Sequence, residues 1–178
     1  MKTYIILLRG INVGGKNVIK MSDLKILLER NGFLNVRSYI QSGNIVLNHK
    51  IDNIKEIQSF VQNLILSEFK LDVPVMVLEE SYLIIILKNN PFLKSEKYDI
   101  KHLYITLIEN ITSVNNEATL LSINSNEDKV SLGDHCVYLY CPNGYSKTKY
   151  TNNLIESKLN CKATTRNLKT LNKILTLI

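Results

Sequence analysis

Tryptophan is absent from this 178-residue chain, prolines number only three and glycines seven, and three cysteines occur. So little proline and glycine excludes a collagen-like or low-complexity polypeptide. Cys136, Cys141 and Cys161 are odd in number and have no C-x-x-C spacing, so they imply neither a disulfide framework nor a zinc cluster. A reducing, cytoplasmic setting is the expectation that follows. No apolar run approaches the ~20 residues of a bilayer span. YIILL gives way at once to Arg9 and a glycine-rich loop, without the apolar core or small-residue cleavage site of a secretory signal. Neither a membrane partner nor a bound cofactor or metal is expected.

What is present is the make-up of an ordinary globular protein, 45% hydrophobic and 21% charged. A chain of this length makes one large domain or two small ones and buries about 70% of its unfolded surface. The net charge of +6 is unevenly placed. Residues 141–178 hold Lys147, Lys149, Lys158, Lys162, Arg166, Lys169 and Lys173 against Glu156 alone, and the rest of the chain is balanced. Such a basic end fits either an anionic partner or a lysine-rich solvated surface.

Strand and helix signals alternate. Thr3–Arg9 reads as a buried strand, and Ser22 as the cap of a helix with Leu24, Leu27 and Leu28 on one face. Gly32 ends that helix, with Phe33 folding back on Leu28 as in a Schellman close. Val36–Gln41 and Ile45–Asn48 are strands joined across Ser42-Gly43-Asn44. Asp52 caps a helix carrying Ile54, Ile57, Val61 and Leu64, and Val73–Leu78 is a strand that Pro74 confines to a sheet edge. The order is β-α-β-β-α-β, the ferredoxin-like arrangement, for which the expected strand order is 4-1-3-2 with antiparallel neighbours.

Glu79–Asn89 reads as a connecting helix that Asn90-Pro91-Phe92 breaks. The second half repeats the order of elements without repeating the sequence. His102–Ile108 is a strand, 113–123 a helix, and Lys129–Leu132 with His135–Cys141 a hairpin across Gly133-Asp134. Thr151–Leu159 is a helix, Cys161–Thr164 a strand and Arg166–Leu177 a final helix with Leu168, Leu171 and Leu175 on one stripe. The expected architecture is α+β, with one ferredoxin-like subdomain over residues 1–79, a connector over 80–100 and a second subdomain with a terminal helix over 101–178.

One stretch, LLRGINVGGKN from Leu7 to Asn17, matches the phosphate-loop pattern G-x-x-x-x-G-K-[ST] except at Asn17. Its context argues against magnesium-dependent nucleotide hydrolysis. A phosphate loop opens its helix at the Gly-Lys, whereas the helix cap here comes six residues after Lys16. Asn17 lacks the magnesium-binding hydroxyl. The next strands form a tight hairpin and pair antiparallel, unlike the parallel sheet of that fold. The 4-1-3-2 order instead brings Arg9–Lys16 beside Gln41-Ser42-Gly43-Asn44. Gly10, Gly14 and Gly15 can present backbone amides to an anion, with Arg9, Asn12, Lys16, Gln41, Ser42 and Asn44 as further donors. Glycines in tight turns and asparagines bonded to main chain would give the same sequence without any ligand.

A second cluster follows from the same topology. The turn Pro142–Lys149 (PNGYSKTK) and the stretch Thr164-Thr165-Arg166-Asn167 meet at one sheet edge. Ser146, Lys147, Thr165, Arg166 and Asn167 are its candidate ligand-binding residues, with Thr165 the expected helix cap and Arg166 the first helical residue. Neither cluster's motif contains Asp, Glu, His or Cys, so general acid–base or metal catalysis lacks its usual groups. Ser42 and Ser146 without a base are poor nucleophiles. The expectation is therefore a binding protein rather than an enzyme, for a nucleotide, a nucleic acid or a phosphorylated small molecule. An enzyme on an anionic substrate would need Asp134 or Glu109 to enter from the sheet edge, with Arg9, Lys16 and Arg166 stabilising charge. A partner-docking module using the Pro74 edge strand is a third possibility. Tyr138 and Tyr140 share a strand face and could stack bases, but HCVYLYC does not match the RNA-recognition pattern, and packing is expected of them.

LLRGINVGGKN, QSGN, NPF at Asn90–Phe92 and TTRN at Thr164–Asn167, in that order, resemble the bacterial domain-of-unknown-function family 1697. That resemblance implies two ferredoxin-like halves and no assigned reaction. Family members commonly carry an aromatic residue after TTRN, where this chain has Leu168.

Overall fold

Strand β1 (Lys2–Leu8) forms the middle of a four-stranded antiparallel sheet ordered β2-β3-β1-β4 in the computed structural model, which describes residues 1–109, 117–123 and 127–178. Its partners are β3 (Asn44–His49) and β4 (Val75–Glu79), with β2 (Leu34–Tyr39) outside β3. Helices α1 (Met21–Arg30) and α2 (Ile54–Phe69) pack on the sheet face of Tyr4, Ile6, Leu8, Ile45, Leu47, Val75 and Val77. The alternate residues Ile5, Leu7, Val46, Met76 and Leu78 are apolar too, so β1 reads as an unbroken apolar run. The fold is α+β, and this strand order is the 4-1-3-2 that the sequence predicts. Pro74 immediately precedes the edge strand β4.

Helix α3 (Glu80–Lys88) follows, then short 3-10 turns at Pro91–Lys94 and Ile100–His102. The second sheet repeats the pattern in the order β6-β7-β5-β8. Its strands are β5 (Leu103–Glu109), β6 (Lys129–Gly133), β7 (Cys136–Tyr140) and β8 (Lys162–Asn167). Helices α4 (Glu117–Leu121) and α5 (Asn152–Leu159) cover it around Leu120, Val137, Leu139, Tyr150, Ile155, Leu159 and Ala163. Helix α6 (Leu168–Leu175) ends the chain's regular structure. Two compact units result, Met1–Ile84 with Lys173–Ile178, and Ile85–Asn172. The part of the expected 113–123 helix before residue 117 lies outside the described residues.

Several boundaries differ from the sequence reading, each for a local reason. Helix α1 starts at Met21, after Lys20, with no side-chain cap, and the Ser22 hydroxyl donates to Asp23 instead. Burial of Ile19 and Met21 on either side of Lys20 fixes that start, so packing overrides capping preference. Asn53, not Asp52, caps α2, its Oδ1 accepting from Lys55 N and Glu56 N. Thr165 and Arg166 lie in β8. The cap of α6 is Asn167, whose Oδ1 accepts from Thr170 N at 2.7 Å. The second hairpin turns on Asp134-His135, because Gly133 still pairs with Cys136. Gly133 is there for space: a Cβ would lie 2.5 Å from the Tyr138 ring.

The close of α1 is as expected. Gly32 N donates to Glu29 O and Phe33 N to Leu28 O, with Gly32 at φ +90° and both apolar partners fully buried. This is a Schellman motif.

Candidate functional site

Beyond β1 the chain turns out of the sheet at Gly10 (φ +73°) and runs through a loop to Ile19. Val13 and Lys16 bridge antiparallel, and Lys16 N donates to Val13 O, closing a two-residue turn. Gly14 and Gly15 occupy it with φ of +57° and +75°, the sign that a type I′ turn demands at both central positions. Asn12 and Asn17 also hold positive φ, a conformation that asparagine tolerates better than other L residues. Asn17 closes the base of the loop: its amide donates to Gly10 O, and Asn12 N donates to Asn17 O.

Asn12 fastens this loop to its neighbour. Its Nδ2 donates both to Ile19 O (2.9 Å) and to Gln41 O (2.7 Å), and its Oδ1 accepts from Ile19 N (2.9 Å). Both amide hydrogens are thereby used within the fold. Leu8 N donates to Gly43 O at 2.8 Å, and Arg9 N to Pro74 O. Arg9–Lys16 and Gln41–Asn44 therefore lie side by side, as the topology requires. Asn44 is fully buried and donates to Tyr39 O and to Ser42 Oγ, so it shapes the turn from inside. Arg9 is half-buried, whereas Val13 through Val18, Lys20 and Gln41 are exposed. From Arg9 to Ser22 the chain carries Arg9, Lys16 and Lys20 and no acid.

The second cluster is also assembled, by a web of hydroxyls. Tyr145 OH donates to Thr165 Oγ1 (3.0 Å), and Thr165 Oγ1 donates to Asn152 Oδ1 (2.6 Å). Thr106 Oγ1 lies 2.7 Å from Thr165 Oγ1, and the Tyr104 and Tyr145 rings pack at 5.3 Å. Arg166 donates to Thr164 Oγ1 and Thr165 O, and burial pushes its guanidinium down to about 10. It remains a cation at neutral pH. Asn167 is committed to the α6 cap. Ser146 and Lys147 are exposed in a 3-10 turn over Tyr145–Lys147.

Two acids missed in the sequence stand at this cluster. Thr148 Oγ1 donates to Asp128 Oδ2 at 2.6 Å, and the Asn143 amide donates to Glu127 Oε2. The signal was the register: Lys129 pairs with Tyr140, which carries Glu127 and Asp128 past the end of β7 toward 141–148. The acids named from sequence lie elsewhere. Asp134 is in the β6–β7 turn and Glu109 at the far end of β5, roughly 17 Å of strand from the Tyr104–Asn167 pair.

The aromatic face of β7 is packed. Tyr138 is buried with its hydroxyl donating to Ile86 O, and Tyr140 stacks edge-on against Tyr98. His49 packs on Phe33 (ring centroids 4.7 Å apart), and Phe60 packs on Phe33 as well. Among the described residues no His/Cys/Asp/Glu group could hold a metal, and no helix is long and apolar enough to cross a membrane.

Burial raises the thiols of Cys136, Cys141 and Cys161 from 9.0 to about 11. As neutral thiols they are poor nucleophiles at neutral pH. Because the folded state holds these protons more tightly, their contribution to stability is whole below pH 9 and is lost as pH rises through about 11. Thiol labelling of the native protein at neutral pH should accordingly be slow and should accelerate on denaturation. Fast labelling of Cys136 or Cys141 without unfolding would contradict their burial.

A family model described as a protein of unknown function (DUF1697) matches residues 1–138. The chain belongs to this family. The matched region contains both halves of the first cluster, the Arg9–Asn17 loop and the Gln41–Asn44 turn, and stops short of Thr164–Asn167. Among solved structures, a conserved bacterial protein of the pneumococcus (SP0830 from Streptococcus pneumoniae) is similar at 27% identity and a TM-score of 0.78. That similarity covers 99% of this chain and 98% of that one. No curated protein matches the chain.

Proposed function

We propose that this family member binds a phosphate-bearing partner through the Arg9–Asn17 loop, the phosphate being carried by a nucleotide, a nucleic acid or a phosphorylated small molecule. One observation carries the reading. The side chains of Asn12 and Asn17 hold the loop's main chain and Asn44 holds the turn beside it, while the Gly14-Gly15 tip and Lys16 next to it are exposed. A loop fixed in advance spares the binding step the entropy of ordering it. Its cations act at the surface, so attraction to phosphate should be strong at low salt and screened at high salt.

The second cluster supports such binding less. Thr165, Arg166 and Asn167 are tied into the fold, and Asp128 and Glu127 offset Lys147 and Lys149. Those two acids engage Thr148 and Asn143, and we assign them no part in proton transfer.

The test compares wild type with Arg9→Ala/Lys16→Ala on ATP, a short labelled RNA and vesicles containing phosphatidylglycerol. We expect binding of at least one probe to fall roughly 10- to 30-fold in the double variant at low salt. For RNA, the slope of log affinity against log salt should flatten by about two. If the variant and wild type bind all three probes alike, the reading is wrong.

A further inference from the structure

Three exposed branched aliphatic residues lie in this loop and in the turn bonded to it. Val13 is 65% exposed, Val18 64% and Ile40 52%. The side chain of Asn12 explains their grouping. It bonds Ile19 and Gln41, and the three aliphatic residues are the chain neighbours of the three residues so joined: Val13 of Asn12, Val18 of Ile19 and Ile40 of Gln41. A single amide thus ties together the chain segments that carry three solvent-exposed apolar residues, with Arg9, Lys16 and Lys20 in the same loop. Ile40 adds a second sign. It sits at φ +51°, where the other non-glycine residues of positive φ among those described are Asn, Lys or His. A β-branched residue is strained there, and such strain collects at functional positions.

We propose, building on the phosphate-binding reading above, that this tip docks on an anionic phospholipid surface. Val13, Val18 and Ile40 would enter the headgroup layer while Arg9, Lys16 and Lys20 meet the lipid phosphates. Charge complementarity supports that occupant: the cytoplasmic leaflet is anionic, and each basic residue held near it contributes about fivefold in affinity. The apolar groups decide between lipid and nucleic acid. Single-stranded nucleic acid is gripped by stacked aromatic rings, and these residues are aliphatic, the chemistry that partitions among acyl chains. The tip is also exposed along its whole length rather than recessed, which suits a broad interface better than a small ligand. Three aliphatic side chains and three cations make a peripheral, reversible contact. That no helix among the described residues is long and apolar enough to cross a membrane concerns crossing the bilayer, not lying on it.

Cosedimentation of the full chain with vesicles tests the proposal. Wild type should bind phosphatidylcholine vesicles containing phosphatidylglycerol and not pure phosphatidylcholine ones. Val18→Ser, outside the Arg9–Asn17 loop, should lose about threefold in vesicle affinity while binding RNA or ATP as wild type does. Ile40→Asn should lose vesicle affinity several-fold while its melting temperature stays level or rises, because Asn accepts the left-handed conformation. Soluble glycerol phosphate should bind far more weakly than vesicles. The proposal falls if the aliphatic variants bind vesicles like wild type, or if glycerol phosphate binds as tightly. It also falls, leaving the phosphate reading intact, if wild type ignores vesicles but binds RNA or ATP in a manner that Arg9→Ala/Lys16→Ala weakens. If that double variant matches wild type on every probe, both fall together.

Discussion

Replacing Gly43 by alanine should destabilise the fold by about 3 kcal/mol and lower the melting temperature by roughly 10 °C. Two effects combine there. Gly43 holds φ +73°, and a Cβ on it would lie 2.5 Å from Leu8 Cβ and 3.0 Å from Ile11 Cδ1. Leu8 Cβ is fixed to the last residue of the central strand and cannot rotate away. Moving the turn instead would stretch the bond from Leu8 N to Gly43 O that joins the two loops. Gly14→Ala separates the two effects, since Gly14 has φ +57° and nothing within 4 Å of an added Cβ. It should cost only about 1 kcal/mol. Denaturant unfolding of both variants gives the comparison. Equal losses would show that backbone conformation alone, and not the approach of β1, requires glycine at position 43.

Much of this was legible in the sequence because it depends on period and order. Alternating strand and helix signals gave the antiparallel 4-1-3-2 sheet, and from it the nearness of Arg9–Lys16 to Gln41–Asn44. Gly32 followed by an apolar residue marked the Schellman close. The missing hydroxyl at Asn17 and the late helix start separated this loop from a magnesium-binding phosphate loop. What stayed hidden depends on where a polar side chain points. Asn12 and Lys16 look equally available for a ligand in a string of letters. In the fold, Asn12 is turned inward on bonds to residues 7 and 29 positions away, and Lys16 is turned outward. Asp128 and Thr148, 20 positions apart, are brought together by a hairpin register that composition does not encode. Ile40 reads as the continuation of a strand, and nothing local announces its positive φ. Capping followed the same rule: Lys20 precedes α1 because its neighbours are buried, although Ser22 has the better capping side chain.

The second large effect is expected at Asn12. Asn12→Ala removes three hydrogen bonds together and leaves the amide of Ile19, a residue 1% exposed, without its acceptor. An orphaned buried donor costs on the order of 1–3 kcal/mol, and the lost ties to Ile19 O and Gln41 O add to it. We expect a loss of about 2–3 kcal/mol, with faster hydrogen exchange at Ile19 than at the core amides of β1. Asn12→Asp sharpens the assignment. Its carboxylate still accepts from Ile19 N, but it confronts the carbonyls of Ile19 and Gln41 with acceptors in place of donors. It should therefore destabilise at least as much as alanine, whereas an asparagine serving only as an acceptor would tolerate aspartate. The same variants bear on binding. If Asn12 acts by positioning, Asn12→Ala should weaken phosphate binding by disordering the tip while leaving the salt slope unchanged, because it removes no cation. A flattened slope would instead place Asn12 among the charge-bearing contacts, where its bonds to main chain give it no place.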